Sequence, residues 1–256
     1  MPRGAARVIL DVIERMGVTI LPNWRMERHA MASCLRSLFE LLAVDCVLDV
    51  GANVGQYRTF LRDEVGFGGW IVSFEPIPGN VAQLRMRAAA DPRWRIEPFA
   101  LGALSGPATF NVTAQSTFSS FLQPNDASVA LFSREVDVTE RIDVEVRTLD
   151  DVLPSIEREL GVSRVYLKMD TQGFDLAVVE GGTLTMPRLA GLQTEASVKP
   201  IYCDMPDYAT VIARLESLGF ELTGLFPVNS GTFPRMLEFD CVMVATTALA
   251  TARRST

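Results

Sequence analysis

Apolar residues recur along this chain in two rhythms. Short unbroken runs, such as Cys46-Val47-Leu48, Trp70-Ile71-Val72 and Val165-Tyr166-Leu167, have the length and composition of buried strands. Apolar positions three and four apart mark helices over 54–64, 78–90, 149–160, 173–181 and 207–218. From residue 45 the two rhythms alternate, with strands at 45–50, 70–75, 94–98, 164–170 and 189–195. That alternation predicts a doubly wound α/β fold with a mostly parallel sheet. Phe220–Phe226 and Leu237–Ala245 are separated by a short connector, so they form a hairpin and the last strand is antiparallel. Residues 100–106 and 114–140 read as loops, and 108–113 and 119–122 as short strands or irregular chain. Residues 141–147 alternate apolar and charged side chains, as a half-exposed edge strand does. Two helical stripes, over 5–16 and 27–43, precede the core. The chain thus divides into an N-terminal helical cap (1–44), a core (45–246) and a polar tail expected to fray (247–256).

Composition narrows the function. The net charge of −7 supplies no basic face, so nucleic acid is not the expected partner. Four widely spaced cysteines form no C-x-x-C pair, which removes zinc-knuckle and dithiol chemistry. Cys46 and Cys241 fall in apolar strands and read as buried thiols of a reducing compartment. Asp11 and Glu14 interrupt the first helix, unlike a signal peptide, and no apolar run reaches the ~18 residues of a membrane span. A cytoplasmic protein acting on a small molecule is expected. Its oligomeric state is left open, a dimer being compatible with the chain. The single histidine, His29, is the one imidazole available as a base.

The chemistry centres on Val47–Tyr57. An apolar strand runs through Asp49 into Gly51-Ala52-Asn53-Val54-Gly55 and then into a helix. A strand feeding a helix through a glycine turn brings backbone N–H groups near a ligand. The glycines lack the Gly-x-Gly-x-x-Gly spacing of a pyrophosphate site, and Asn53 would crowd one. The next strand ends at Glu75, twenty residues after Gly55, where a carboxylate can take both hydroxyls of a ribose. Together they suggest a nucleoside ligand such as S-adenosylmethionine. Ligands of open α/β sheets lie beyond the strands' carboxyl ends, and there the chain also places Lys168, Asp170, Glu195 and Asp240. Converging carboxylates repel unless a proton or cation sits among them, so Asp170, Glu195 and Asp240 suggest Mg²⁺. The bland alternative is that they cap helices or pair with Lys168 and Lys199.

The chain resembles the FkbM family of S-adenosylmethionine-dependent methyltransferases. The resemblance rests on Asp-Val-Gly-Ala-Asn-Val-Gly-Gln-Tyr (49–57), Ser-Phe-Glu-Pro-Ile-Pro (73–78), Ala-Leu-Gly (100–102), Ser-Ser (119–120) and Thr-Leu-Asp-Asp (148–151). Leu-Lys-Met-Asp-Thr-Gln-Gly-Phe-Asp (167–175) and Glu195 complete it, in order across residues 45–245. Family members often carry Glu where this chain has Gln172 and Asp175. The resemblance implies a Rossmann-like class I methyltransferase sheet and O-methylation of a sugar, glycoside or polyketide-type hydroxyl. It also implies that Asp49, Gly51, Asn53, Gly55 and Tyr57 approach the methionine end of the cofactor. By the same resemblance Glu75 and Pro76 hold the ribose, Ala100 and Leu101 meet the adenine, and Asp170 lies between cofactor and acceptor.

Methyl transfer requires an aligned acceptor oxygen and removal of its proton. Asp170 and His29 are the candidate bases, Lys168 the group that orients a carboxylate, and Mg²⁺ an alternative activator. Ser119, Ser120 and Tyr202 are candidate acceptor contacts, with hydroxyls suited to a sugar. A nicotinamide dehydrogenase and a non-catalytic nucleoside-binding protein are the rival readings.

Overall fold

The unbroken apolar runs become strands covered on both faces, which is why they read as continuous rather than alternating. The computed structural model describes residues 23–228 and 234–252, so the first helical stripe (5–16) lies outside the described residues. Helix α1 (Asn23–Leu42) leads into β1 (Cys46–Val50), a glycine turn and the short helix α2 (Gln56–Phe60), which widens into a π turn over Leu61–Val65. Next come β2 (Trp70–Phe74), α3 (Pro78–Ala88), β3 (Trp94–Glu97), β4 (Ala100–Leu101) and β5 (Gly106–Thr113). After these, α4 (Asp126–Phe132) precedes β6 (Val138–Arg147), α5 (Leu149–Leu160), β7 (Val165–Met169) and α6 (Asp175–Glu180). The chain ends with β8 (Gly191–Ser197), α7 (Tyr208–Ser217), β9 (Phe220–Val228), β10 (Glu238–Ala245) and α8 (Thr246–Ala252).

Among the described residues, seven strands form one sheet in the order β3-β2-β1-β7-β8-β10-β9. Strand β10 runs antiparallel to both its neighbours, and the remaining strands are parallel. Every residue of β1 and of β7 is buried, as central strands require. Leu35, Phe39 and Leu42 of α1 belong to the same apolar cluster as the sheet, so this helix shares the main core. No described helix is long and apolar enough to cross a membrane.

Several local expectations are corrected. Residues 141–147 are not an edge strand; they belong to β6, the central strand of a second sheet, β4-β6-β5. Its alternation arises because one face covers a small separate cluster of Ala100, Phe110, Val144 and Val146 while the other meets water. The stretch 100–106 is therefore not wholly loop, since Ala100–Leu101 pairs with Val146–Arg147. Within 114–140, helix α4 is capped by Asn125, whose side chain accepts from the Ala127 and Ser128 N–H groups. The first turns of the polar tail form α8. Thr246 bonds the Gly219 carbonyl through both its N–H and its hydroxyl, and Ala248 and Leu249 of α8 pack on the core.

Candidate active site

Adjacent parallel strands place their cross-strand partners side by side, and three of them, joined by Trp94, build a buried polar chain. Asp49 of β1 pairs in register with Ser73 of β2 and with Lys168 of β7. The Trp94 indole N–H donates to Ser73 Oγ (2.9 Å), and the Ser73 hydroxyl donates to Asp49 Oδ2 (3.0 Å). Lys168 Nζ then bridges Asp49 Oδ1 at 3.2 Å and Asp170 Oδ2 at 3.4 Å, over the ring of Tyr57. Burial works against the Lys168 ammonium, but Asp170 and Asp49 outweigh it and its pKa rises. Lys168 is therefore a fixed cation, not a base. Asp49 is wholly buried and lies beneath the site rather than in it, which corrects its expected place among the ligand contacts.

Above this chain lies a cavity of about 520 Å³ along the carboxyl ends of β1, β2, β7, β8 and the start of β10. Gly51, Asn53, Tyr57, Glu75, Pro76, Ala100 and Leu101 line it, as do Ser119, Lys168, Asp170, Glu195 and Asp240. Gly55, Ser120, Tyr202 and His29 do not. Gly55 enters α2 with φ +90°, and a Cβ there would stand 2.8 Å from the Trp94 ring, so it is a packing glycine. Gly51 (φ +77°) lines the cavity, but its constraint is the protein's own chain: a Cβ would lie 2.0 Å from the Asp170 carbonyl oxygen. His29, expected as a candidate base, lies on α1 but does not line the cavity; the same helix presents Arg28 and Met31 there.

Glu75 marks one end. It is 4% exposed and accepts from the N–H groups of Asn53 (2.8 Å) and Ile77 (2.9 Å) and from the Asn80 amide (3.3 Å). Asn53 holds φ 47°, which turns its N–H toward that carboxylate; Asn tolerates this left-handed region better than most residues. Burial raises the Glu75 pKa to about 7 against the lowering effect of these bonds.

The other end is built from carboxylates spaced by amides. The Gln172 amide Nε2 donates to both Asp170 Oδ1 and Glu195 Oε2, each at 3.0 Å. Its own carbonyl accepts from the buried Tyr202 hydroxyl at 2.9 Å, which fixes which way the amide points. A parallel arrangement holds Asp240: the Tyr57 hydroxyl donates to Gln193 Oε1 (2.9 Å), and Gln193 Nε2 donates to Asp240 Oδ1 (2.8 Å). Burial, and then the neighbouring carboxylates led by Asp170, raise Glu195 well above the ordinary range and Glu238 to about 7. Burial likewise lifts Asp240 to about 6, although Gln193 opposes it.

Two expectations change here. Among the described residues, no group of three or more His, Cys, Asp or Glu side chains is arranged to hold a metal ion. Asp170, Glu195 and Asp240 reach one cavity but are parted by Gln172, Gln193 and Lys168, whose N–H donors, together with the raised proton affinities of Glu195 and Asp240, relieve the repulsion that suggested Mg²⁺. Tyr202 and Ser120, expected as acceptor contacts, do not line the cavity and bond the protein's own chain instead. The Tyr202 hydroxyl shares its one proton between the Gln172 side-chain carbonyl and the Phe118 backbone carbonyl (2.8 Å), and the Ser120 hydroxyl donates to the Gln172 backbone carbonyl (2.9 Å), so both pin the 116–122 segment to the turn after β7. Gln193 and Arg28 escaped the sequence reading. The period of two along β8, which aligns residue 193 with Glu195, was the available signal for Gln193. Arg28 had none, because its place depends on how α1 packs.

The strand order, the antiparallel β10 and a cavity on the parallel strand ends define a Rossmann-like methyltransferase fold. A methyltransferase FkbM from Methylobacillus flagellatus KT shares it at TM-score 0.50 and 15% identity, over 78% of this chain and 43% of that one. Aeropyrum pernix fibrillarin, solved with natively bound S-adenosyl-L-methionine, matches at TM-score 0.44 and 15% identity, over 84% and 74%. No curated protein matches the chain in sequence. The methyltransferase FkbM domain model matches residues 49–222, and the chain belongs to that family. It spans 43% of the length of the M. flagellatus chain.

Proposed function

We propose that this protein is an S-adenosylmethionine-dependent O-methyltransferase acting on a hydroxyl of a sugar, glycoside or polyketide-type acceptor. The observation that carries the reading is that Glu75 and Asp170 line one continuous cavity about 520 Å³ in volume. A ribose-type acid at one end and an anchored carboxylate at the other suit a nucleoside cofactor meeting an acceptor between them. The family match supports the methyl donor and takes support from the nicotinamide dehydrogenase alternative.

In this reading Glu75 accepts the ribose hydroxyls, the Gly51–Asn53 turn meets the methionine portion, and Ala100 and Leu101 flank the adenine. S-adenosylmethionine supplies an electrophilic methyl on a positively charged sulfur. The acceptor oxygen gains the methyl, and the sulfur keeps the electron pair of the broken bond. As the new O–C bond forms, the hydroxyl proton becomes strongly acidic, so an ordinary carboxylate suffices to take it. Asp170 is the group assigned that role, held by Lys168 and Gln172. Glu195 and Asp240, held in place by the amides of Gln172 and Gln193, offer hydrogen bonds to further acceptor hydroxyls, and Ser119 lies on the same wall. Phe118, Phe121 and Phe226 offer faces for a sugar ring.

The test is a screen of sugars, glycosides and polyketide-type alcohols for S-adenosylhomocysteine release, with and without exhaustive chelation. Release with a hydroxylated acceptor, unchanged within about twofold by chelation because amides already separate the carboxylates, is expected. Release without a hydroxyl acceptor would sink the O-methylation reading. Loss on chelation with recovery on adding Mg²⁺ would restore the ion to the mechanism.

A further inference from the structure

The charged lining of the cavity is unbalanced. Glu75, Asp170, Glu195, Glu238 and Asp240 contribute carboxylates, against two cations, Lys168 and Arg28. These cations differ in what they have left to offer. Lys168 is buried and engaged by Asp49 at 3.2 Å and Asp170 at 3.4 Å. Arg28 is 46% exposed, and its nearest carboxylate, Glu64, stands 3.7 Å away. Among the described residues its guanidinium is donor to no hydrogen bond, although it lines the cavity. Its plane is nevertheless held in place. The Cζ atom sits 4.4 Å from the centroid of the Phe60 ring, a contact that orients the fork while leaving its N–H edge open.

The position of Arg28 matters as much as its charge. Phe60 ends α2, the helix that follows the Gly51 turn, whereas Glu75 ends β2 beside Ala100 and Leu101. Arg28 packs on Phe60 and pairs with Glu64, both in the segment that follows Tyr57, and it acts on the proton affinity of Tyr57 and Asp240, which Gln193 joins. It therefore belongs to the end of the cavity away from the ribose acid. A ligand with an adenosine at Glu75 and an amino-acid tail extending past Gly51 brings a carboxylate toward a wall of carboxylates. That tail needs a cation with unspent planar donors.

We propose that Arg28 is the cofactor-carboxylate receptor of this site, selecting ligands that carry the amino-acid carboxylate over those that lack it. The inference rests on the reading of the cavity as an S-adenosylmethionine site and adds what that reading leaves open: which residue recognises the anionic end.

The experiment is calorimetry of the full chain with two probes, S-adenosylhomocysteine and its decarboxylated analogue, which keeps the adenosine, the sulfur and the amine. The wild type should bind S-adenosylhomocysteine at least about tenfold more tightly, the scale of one charge-assisted bidentate contact. Arg28→Ala should erase that preference by weakening S-adenosylhomocysteine about tenfold and the analogue by less than about twofold. Arg28→Lys, which keeps the charge and loses the fork, should fall between them. Arg28 is half exposed, so the variants should unfold at the wild-type temperature, and circular dichroism checks this. Equal weakening of both probes in a folded Arg28→Ala protein, or no weakening of either, overturns the assignment of Arg28 alone. Failure of the wild type to bind either probe overturns the cofactor reading, and this inference with it.

Discussion

The two ends of the cavity are built by different means. At the Glu75 end the groups come from residues near one another in sequence: a turn, the N–H groups of Asn53 and Ile77, and one carboxylate at a strand terminus. At the Asp170 end the groups come from β7, β8, β10 and the buried Tyr202, and they are held side chain to side chain. Backbone donors are positioned by secondary structure itself, so the first end suits a ligand that never varies. Side-chain networks can be altered one residue at a time without unfolding the sheet, so the second end suits an acceptor that differs between relatives. If that division is sound, substitutions should separate cofactor binding from turnover.

The largest separation is expected at Asp170. Asp170→Ala removes the carboxylate that faces the acceptor and should lower turnover by about 10²–10⁴-fold, the range for losing a general base. Cofactor affinity measured by calorimetry should stay within about threefold, because Glu75, the backbone of the Gly51–Asn53 turn and Arg28 all keep their places. An equal fall in affinity and turnover would mean that the two ends work as one.

Glu75 should show the opposite pattern. Glu75→Ala should weaken cofactor binding by about 1–3 kcal/mol, the scale for leaving ribose hydroxyls without their charged partner. The effect has a pH signature, because burial sets the free carboxyl's pKa at about 7. Below that value the free protein holds the proton, and binding through the carboxylate must release it. Wild-type affinity should therefore fall as pH drops through 7 toward the lower pKa of the complex, by up to about tenfold per unit. Glu75→Gln should abolish that slope. A titration whose slope survives in Glu75→Gln would place the titrating group elsewhere.

The smallest expected effect sharpens the comparison most. Tyr202 does not itself line the cavity, but its hydroxyl orients Gln172 (2.9 Å) and holds the Phe118 carbonyl (2.8 Å) behind the Asp170 end. Tyr202→Phe should cost about 0.5–1.5 kcal/mol of stability by denaturant unfolding. It should also lower turnover by about three- to tenfold through a loosened Gln172. Cofactor affinity should not change. Normal turnover in the variant would show that Gln172 keeps its orientation without the tyrosine.

How much was legible in advance follows the same line. The strand-turn-helix at Val47–Gln56 and the acid at Glu75 were readable because their signals lie within one element or two consecutive ones. The continuous apolar runs predicted buried parallel strands, and the short 227–236 connector predicted the antiparallel β10, since a brief link cannot make a parallel crossover. The alternation over 141–147 marks a strand with one wet face but not a central one, because a period of two says nothing about the partner strands. Likewise, the carboxylates at strand ends were found, but a list of acids cannot show what lies between them.

The sequence by itself determined the layer order, the sheet edge on which the site lies, and the acids that line it. Those depend on hydrophobic period and on connection length, which are properties of the chain. Only the tertiary structure decided that Gly51 is constrained by the Asp170 carbonyl, that Lys168 is spent on Asp49 and Asp170, and that His29 misses the cavity while Arg28 meets it. It also turned three acids that suggested a metal into carboxylates spaced by the amides of Gln172 and Gln193. The physical reason is common to all of these. Each is a contact of a few ångströms between residues up to about a hundred or more positions apart, and its sign, attraction or repulsion, depends on a geometry that no spacing along the chain encodes.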